Sequence, residues 1–179
     1  MIKDLIDAHG VRQLGYYVES IEDAAEAWHR LLGAGPFVDM GSTPPERCLY
    51  RGRKISLDSR CALGQVGGMQ IELIESHTDV ADPYQELGYY GLHHMCFWTD
   101  DLQATVQHLR DEKLEVAMDL TTKEGLEVFY FDARRELGHY LEVNPPLQQL
   151  ADAIAAIHEK WPGDESLIGM DTVMKMMGQ

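Results

Sequence analysis

The chain has 179 residues, of which 45% are hydrophobic and 25% charged, as in an ordinary globular domain. Its formal net charge of -15 at pH 7 disfavours binding to nucleic acid and to anionic lipid. The sequence shows neither an apolar leader nor a stretch long enough to span a membrane, so we expect a soluble, cytoplasmic protein. Three cysteines without CxxC spacing argue against a disulfide framework and against a thiolate zinc site.

The first part of the chain predicts one strand, one helix and then three strands. Alternating apolar residues indicate the strands, and apolar residues at helical spacing after an acidic turn indicate the helix. The predicted elements are a strand at 11–18, an amphipathic helix at 21–32, and strands near Phe37, at 54–63 and at 69–75.

The next part predicts the same order of elements, followed by a C-terminal helix. The elements are a strand at 92–99, a helix at 102–112, and strands at 115–118, 126–131 and 140–144. Apolar residues from Leu147 to Trp161 recur at helical spacing and predict an amphipathic helix that ends before Pro162. The Met-rich tail after it is expected either to pack on the rest of the protein or a second subunit, or to be loosely ordered.

Two internal alignments indicate that these parts are copies of one unit. "GVRQLGYYVESIEDAAEAWHRL" from Gly10 aligns with "GLHHMCFWTDDLQATVQHLRDE" from Gly91, and "GMQIELIES" from Gly68 aligns with "GHYLEVNPP" from Gly138. We therefore predict an α+β fold in which tandem βαβββ repeats form a curved mixed sheet around a cleft. The predicted domain spans residues 1–146, with repeats at about 10–76 and 91–146, and residues 147–179 form a C-terminal helix and tail.

Four polar residues occupy matched strand positions in the two repeats. Gln13 aligns with His94, and Glu72 aligns with Glu142. Because side chains in a strand alternate between two faces, all four are expected on the face that lines the cleft, whereas His93 is expected to point away. Burying such groups without partners is costly. One imidazole, two carboxylates and an amide oxygen suit a divalent ion such as Zn, Mn, Co, Ni or Mg, although a solvated face or mutual hydrogen bonds would also satisfy them.

The repeat, together with "GLHHMCFWTDDL", "MQIELIE" and "GHYLEVNP", resembles the vicinal oxygen chelate superfamily over residues 10 to 146. That superfamily includes glyoxalase I, methylmalonyl-CoA epimerase, extradiol dioxygenases and bleomycin-resistance proteins. The resemblance implies metal ligands at Gln13, Glu72, His94 and Glu142.

The sequence also departs from individual members of the superfamily. Gln13 stands where the epimerase has histidine, and Asp58 is the only acid offered where the epimerase has its first catalytic carboxylate. The glutathione-contacting signature of glyoxalase I is absent from "IELIESHTD". Extradiol dioxygenases bind iron through two histidines and one carboxylate, whereas the present set has a single histidine.

The resemblance implies a metal-dependent enzyme that transfers a proton next to a carbonyl of a small substrate, as an epimerase, isomerase or lyase does. Glu142 is the first candidate for the base and Glu72 the second, and each could equally be a ligand alone. The alternatives are a metal-free binding protein of the bleomycin-resistance type, an extradiol-type dioxygenase, or a regulatory domain with a vestigial cleft.

A homodimer is expected. Four aromatic residues could line the substrate pocket or belong to the core: Tyr17, Trp98, Tyr130 and Tyr140.

Overall fold

A computed structural model describes residues 9–42 and 44–177 of the chain. These residues form eleven strands and six helices. The strands are β1 (Val11–Tyr17), β2 (Phe37–Ser42), β3 (Arg47–Tyr50), β4 (Arg53–Lys54), β5 (Ser59–Val66), β6 (Met69–Ser76), β7 (Gly91–Trp98), β8 (Glu115–Thr121), β9 (Glu127–Asp132), β10 (Tyr140–Asn144) and β11 (Leu167–Gly169). The helices are α1 (Ile21–Leu32), α2 (Pro83–Glu86), α3 (Leu102–Asp111), α4 (Arg134–Leu137), α5 (Gln148–Lys160) and α6 (Met170–Met177).

All eleven strands belong to one sheet whose order reflects the internal repeat. From one edge to the other the order is β11-β2-β5-β6-β1-β7-β10-β9-β8-β3-β4. The first repeat therefore contributes β2-β5-β6-β1 and the second contributes the mirror-image order β7-β10-β9-β8. The repeats meet where β1 runs antiparallel to β7, and each of these two strands pairs in parallel with the closing strand of its own repeat. The predicted fold class is confirmed.

Each repeat packs its long helix against the convex face of its own strands. Ser20 caps α1 by accepting a hydrogen bond from the Asp23 amide, and Asp101 caps α3 by accepting one from the Ala104 amide. The apolar side of α1 covers a core that includes Ile71 of β6. The corresponding core under α3 contains the convex residues of β7, β9 and β10: Phe97, Phe129, Phe131, Leu141 and Val143.

The structure contains a hairpin that the sequence pattern does not predict. Strands β3 and β4 lie between β2 and β5 in the chain, but β3 pairs with Glu115–Thr121 of the second repeat. The prediction of one continuous strand at 54–63 is therefore wrong at its start, since the observed strand β5 runs from Ser59 to Val66. The hairpin ties the first repeat to the far edge of the second.

The C-terminal segment covers the concave face of the first repeat. Helix α5 packs Ile154 and Ile157 against Leu63 of β5, which is the register partner of Glu72 on β6. The Met-rich tail adds β11 to the edge strand β2, and α6 packs beside it. The tail was expected either to pack or to be loosely ordered, and up to residue 177 it packs against the rest of the protein. No helix within residues 9–42 and 44–177 is long and apolar enough to cross a membrane.

A candidate metal centre where the two repeats meet

The central strands bring three acidic or imidazole side chains together on the concave face. Gly15 of β1 is the register partner of both Glu72 on β6 and His94 on β7. A Cβ atom at Gly15 would lie 1.9 Å from Cε1 of His94, so only glycine lets this imidazole lie across β1. Glu142 reaches the same place from β10, which is parallel to β7.

The triad of Glu72, His94 and Glu142 is compact and buried. Nε2 of His94 lies 3.1 Å from Oε2 of Glu142 and 3.4 Å from Oε2 of Glu72, and one ligand atom from each residue lies within 4.8 Å of the others. His94 has no exposed surface, and the side chains of Glu142 and Glu72 are 8% and 18% exposed. Glu72 is therefore the member closest to solvent.

Burial and mutual charge raise the pKa values of two triad members, Glu142 and His94. Burial and the neighbouring charge of Glu72 raise the pKa of Glu142, against the opposing effects of His94, the Tyr130 hydroxyl and the Cys96 thiol. Burial alone would lower the pKa of His94, but Glu142 and Glu72 outweigh it and raise that pKa. The two carboxylates that raise the pKa of His94 would attract a metal ion to the same place.

A buried relay fixes the orientation of His94. Nε2 of His93 lies 3.2 Å from the carbonyl oxygen of Pro83, which can only accept, so this nitrogen carries a proton. Burial and the adjacent His94 hold the pKa of His93 well below its usual range, so the ring is neutral and its Nδ1 is an acceptor. Nδ1 of His94, 3.0 Å away, must then be the donor. The remaining nitrogen of His94, Nε2, faces the two carboxylates.

The expectation that His93 points away from the cleft is wrong. The register between β1 and β7 shifts so that Gly15 faces His94 while Tyr16 faces Leu92. His93 is the extra residue of this β-bulge, and bulges re-aim side chains that strict alternation would send to the other face. Its ring packs on the concave side, 4.7 Å from Tyr140 and 5.8 Å from Tyr130 between ring centroids.

Gln13 lies on the face that carries the triad but is not one of its members. It pairs in register with Gln70 on β6 and Cys96 on β7, and it alternates with Gly15, over which the His94 ring lies. Its Nε2 donates a hydrogen bond of 2.9 Å to Oε1 of Gln70. This arrangement leaves the Oε1 atom of Gln13 available as an oxygen ligand, so its role as a fourth ligand stays a prediction.

The donor set fits a divalent cation. Two ligands that are each about 2.1 Å from one ion lie no more than roughly 4.2 Å apart, and both distances from Nε2 of His94 satisfy this limit. Among the described residues, Nε2 of His94 has no hydrogen-bond partner, although the atom is buried. An orphaned buried nitrogen facing two carboxylates is an arrangement that a cation stabilises.

The four aromatic residues predicted for the pocket have different surroundings. Tyr130 packs edge-on against His94, with ring centroids 5.1 Å apart, and its hydroxyl lowers the pKa of Glu142. Tyr140 is fully buried, and its hydroxyl donates to Glu86. Tyr17 is half-buried against Tyr90. Trp98 is buried beneath the guanidinium of an arginine on β1.

An acidic residue singled out in the sequence and a large surface cavity both lie apart from the triad. Asp58 is exposed before β5 and accepts a hydrogen bond from Ser42, so it is not part of the triad. An open surface cavity of about 910 Å³, lined by Lys113 and Arg134 among others, contains none of the triad residues. His93 and Gln70 were missed as site residues, although Gln70 could have been found because it alternates with Glu72.

Comparisons with known proteins agree with this architecture. The sequence profile of the Glyoxalase/Bleomycin resistance protein/Dioxygenase superfamily matches residues 12–130. No curated protein matches the sequence significantly. Among solved structures, a hypothetical protein of Bacillus halodurans C-125 has a TM-score of 0.56 at 16% identity, covering 78% of this chain and 95% of its own.

Two epimerases are similar to the same extent. The methylmalonyl-CoA epimerase of Mycobacterium tuberculosis has a TM-score of 0.54 at 17% identity, covering 80% of this chain and 93% of its own. A Streptomyces coelicolor methylmalonyl-CoA epimerase in complex with 2-nitronate-propionyl-CoA has a TM-score of 0.55 at 17% identity, covering 77% and 94%. Identities this low support a common fold, and the profile match over two thirds of the sequence establishes the family. The chain belongs to the Glyoxalase/Bleomycin resistance protein/Dioxygenase superfamily.

Proposed function

We propose that this protein is a divalent-metal-dependent isomerase or lyase that moves a proton on a carbon next to a carbonyl of a small substrate. The observation that carries the proposal is the buried triad, in which the orphaned Nε2 of His94 faces two carboxylates. Glu72, His94 and Glu142 would hold the cation, and Gln13 would add an amide oxygen. A bound divalent cation supplies Lewis acidity that stabilises negative charge developing on a substrate oxygen.

Within this proposal, Glu142 is the residue that removes or returns the carbon-bound proton. Its carboxyl is buried, and its Oε2 lies 3.1 Å from Nε2 of His94. A carboxylate in this place is within reach of a substrate held at the triad, where it can both accept and return a proton. Glu72, which lies on the solvent side of the triad, is the second candidate for this role.

The ligand set favours proton transfer over oxygen chemistry. Non-haem iron oxygenases use two histidines and one carboxylate, whereas this triad has one histidine and two carboxylates. His93 does not supply the missing imidazole, because Pro83 and His94 occupy both of its nitrogens. The similarity to epimerase structures agrees with the isomerase class but does not identify the substrate.

Metal content and isotope exchange test the proposal together. Protein purified without added chelator, or reconstituted with Zn²⁺, Mn²⁺, Co²⁺, Ni²⁺ or Mg²⁺, should hold close to one ion per chain. A panel of 2-oxo acids, thioesters and hydroxy-ketones in deuterated water should then reveal a compound whose carbon-bound proton exchanges. Glu142→Gln should retain the ion and lower that exchange by about 10²- to 10⁴-fold, the usual contribution of a general base.

The same experiment identifies the alternatives. Binding of a small molecule by protein that takes up no divalent ion would indicate a metal-free binding protein. Unchanged exchange in Glu142→Gln, with loss of exchange in Glu72→Gln, would move the base to Glu72. Absence of stoichiometric metal under every loading condition would overturn the proposed function.

A further inference from the structure

The two ends of the concave face next to the triad differ in polarity and in access to solvent. Toward one end lie buried aromatic rings, with Tyr84 5% exposed and His93 and Tyr140 fully buried. Toward the other end, β1 and β6 begin and β7 and β10 finish, and the side chains there are polar. Arg12, Gln13 and Glu72 are half-buried at or near this polar end, so solvent reaches the triad from this side.

Arg12 is turned into the polar end by a second β-bulge. The register between β1 and β7 shifts between Val11 and Gln13, which makes Arg12 the extra residue, just as His93 is in the other repeat. The guanidinium carbon of Arg12 lies 4.3 Å from the ring centroid of Trp98, a residue that alternates with Cys96 and His94 on the concave face. Stacking on an indole leaves the edges of a guanidinium free for hydrogen bonds.

Arg12 also differs from the other half-buried arginines, because no carboxylate among residues 9–42 and 44–177 forms an ion pair with it. It donates one hydrogen bond to the carbonyl oxygen of His9, and its buried Nε has no partner in that part of the chain. The other four half-buried arginines all form ion pairs: Arg47 with Asp119, Arg51 with Glu86, Arg60 with Asp39, and Arg134 with Asp132. In a chain with 30 acidic residues against 15 basic ones, a half-buried guanidinium without a carboxylate partner among the described residues is unusual.

Gln70 supplies a second unused donor at the polar end. The residue is 8% exposed, and its Oε1 accepts the hydrogen bond from Gln13. Its buried Nε2 has no partner within the described residues. Gln70 is the register partner of Gln13, and Arg12 directly precedes Gln13 on β1, so both unused donors lie at the polar end.

We propose that Arg12 and Gln70 form a subsite for a carboxylate of the substrate, beside the triad. The inference rests on the proposed function, since it assigns the class of molecule that would be held there: a small carbonyl compound that carries a carboxylate. A carboxylate accepts two hydrogen bonds from a guanidinium edge, and a buried amide adds a third. The substrate would present its carbonyl oxygen to the triad and its anionic group to Arg12.

Hydroxamates that differ only in an added carboxylate test this subsite. Acetohydroxamate offers two adjacent oxygens to a metal ion, and the monohydroxamates of malonic, succinic and glutaric acid add a carboxylate on arms of increasing length. With Co²⁺-loaded protein, at least one acid should bind about tenfold or more tightly than both acetohydroxamate and its own methyl ester. Dissociation constants from calorimetry measure the preference.

Variants then connect the preference to the two residues. Arg12→Gln should abolish the preference for the acid while acetohydroxamate still binds, and Arg12→Lys should retain part of it because the charge remains without the planar fork. Gln70→Glu keeps an oxygen for Gln13 but removes the donor and adds repulsion, so it should also abolish the preference. Arg30→Gln removes an exposed positive charge on α1 and should leave the preference unchanged.

The outcomes separate this inference from the proposed function. No preference at any arm length, or a preference that survives Arg12→Gln, overturns the subsite even if the protein binds metal and acetohydroxamate. Repeating the titrations without metal covers the opposite case. An Arg12-dependent preference for the acid in protein that takes up no metal would support the subsite and overturn the proposed function.

Discussion

In the second repeat, His94 is fully buried and the side chain of Glu142 is 8% exposed, whereas at the matched positions of the first repeat Gln13 and Glu72 are half-buried. The residues that directly precede Gln13 and His94 differ as well. The bulge residue of the second repeat, His93, hydrogen-bonds a triad member, whereas that of the first repeat, Arg12, lies over Trp98.

This difference indicates that the two copies of one unit contribute differently to the site. The second repeat holds His94 in a closed aromatic environment with a hydrogen bond to His93, which suits a group that must keep one orientation. The first repeat leaves its side chains near solvent, which suits groups that meet a substrate. Substitutions at matched positions of the two repeats should therefore differ in their effects.

Removing the imidazole should weaken metal binding far more than removing the matched amide. His94→Ala is expected to lower the affinity for Zn²⁺ or Co²⁺ by more than about 100-fold, beyond the range for residues that only support a ligand. Gln13→Ala is expected to lower it by about tenfold or less, because Glu72, His94 and Glu142 remain. Competition titrations with a chelating dye measure both affinities. Equal losses of metal affinity in the two variants would contradict the proposed difference between the repeats.

The relay through His93 should contribute the next largest effect. His93→Phe removes the acceptor for Nδ1 of His94 and is expected to lower metal affinity by about 10- to 100-fold. His93→Asn places an amide oxygen near the same position and should recover part of the loss. Nitrogen NMR of metal-free protein at a pH where His94 is neutral should find its proton on Nδ1. A proton on Nε2 instead would contradict the relay.

The metal-free protein should lose stability as the pH rises above about 7. The folded-state pKa of His94 is raised above the ordinary value of 6.5, so the stabilisation by its charged form is complete below pH 6.5 and is lost as the pH rises through the folded-state pKa. His93, whose pKa is lowered, acts in the opposite direction only below about pH 6.5.

Between pH 7 and 8.5 the loss should not exceed about 2 kcal/mol, the limit for one proton over that interval. Urea unfolding of the wild type and of His94→Gln at several pH values measures it. If the free energy of unfolding falls equally with pH in both proteins, His94 is not the source of the loss. Metal loading should reverse the trend, because a cation binds the deprotonated side chains and its affinity therefore rises with pH.

The smallest effect is expected where the repeats have stayed alike. Ser20 and Asp101 occupy matched positions and cap the helices α1 and α3 in the same way. Ser20→Ala and Asp101→Ala should each lower the free energy of unfolding by about 1 kcal/mol and leave metal affinity unchanged. Thermal unfolding and the dye titration check both expectations. A change in metal affinity in either variant would show that the helices influence the site.

Regular elements were predictable because their periodicity is local. The helix Ile21–Leu32 and the strand Tyr140–Asn144 have the predicted bounds, since a capping residue or a polar turn limits each of them. The hairpin of β3 and β4 was not predictable in the same way. Its strands are four and two residues long, and its main partner, β8, lies more than 60 residues away in the chain.

The site was partly predictable for a related reason. Alternation and the repeat placed Glu72, His94 and Glu142 on one face, and the structure brings these three together. The same rule placed His93 on the wrong face, because a bulge adds one residue to one strand and reverses the alternation at that point. The position of Arg12 on the concave side was not predictable for the same reason, since it is the extra residue of the other bulge.

Anomalous diffraction from crystals of the Co²⁺-loaded protein would locate the metal ion. We expect one strong peak between the repeats, about 2.0–2.2 Å from Nε2 of His94 and from a carboxylate oxygen of both Glu72 and Glu142. The peak should disappear in His94→Ala crystals. A Co²⁺ ion bound at another place, or a triad that stays empty while the crystals contain stoichiometric cobalt, would show that the triad is not the metal site.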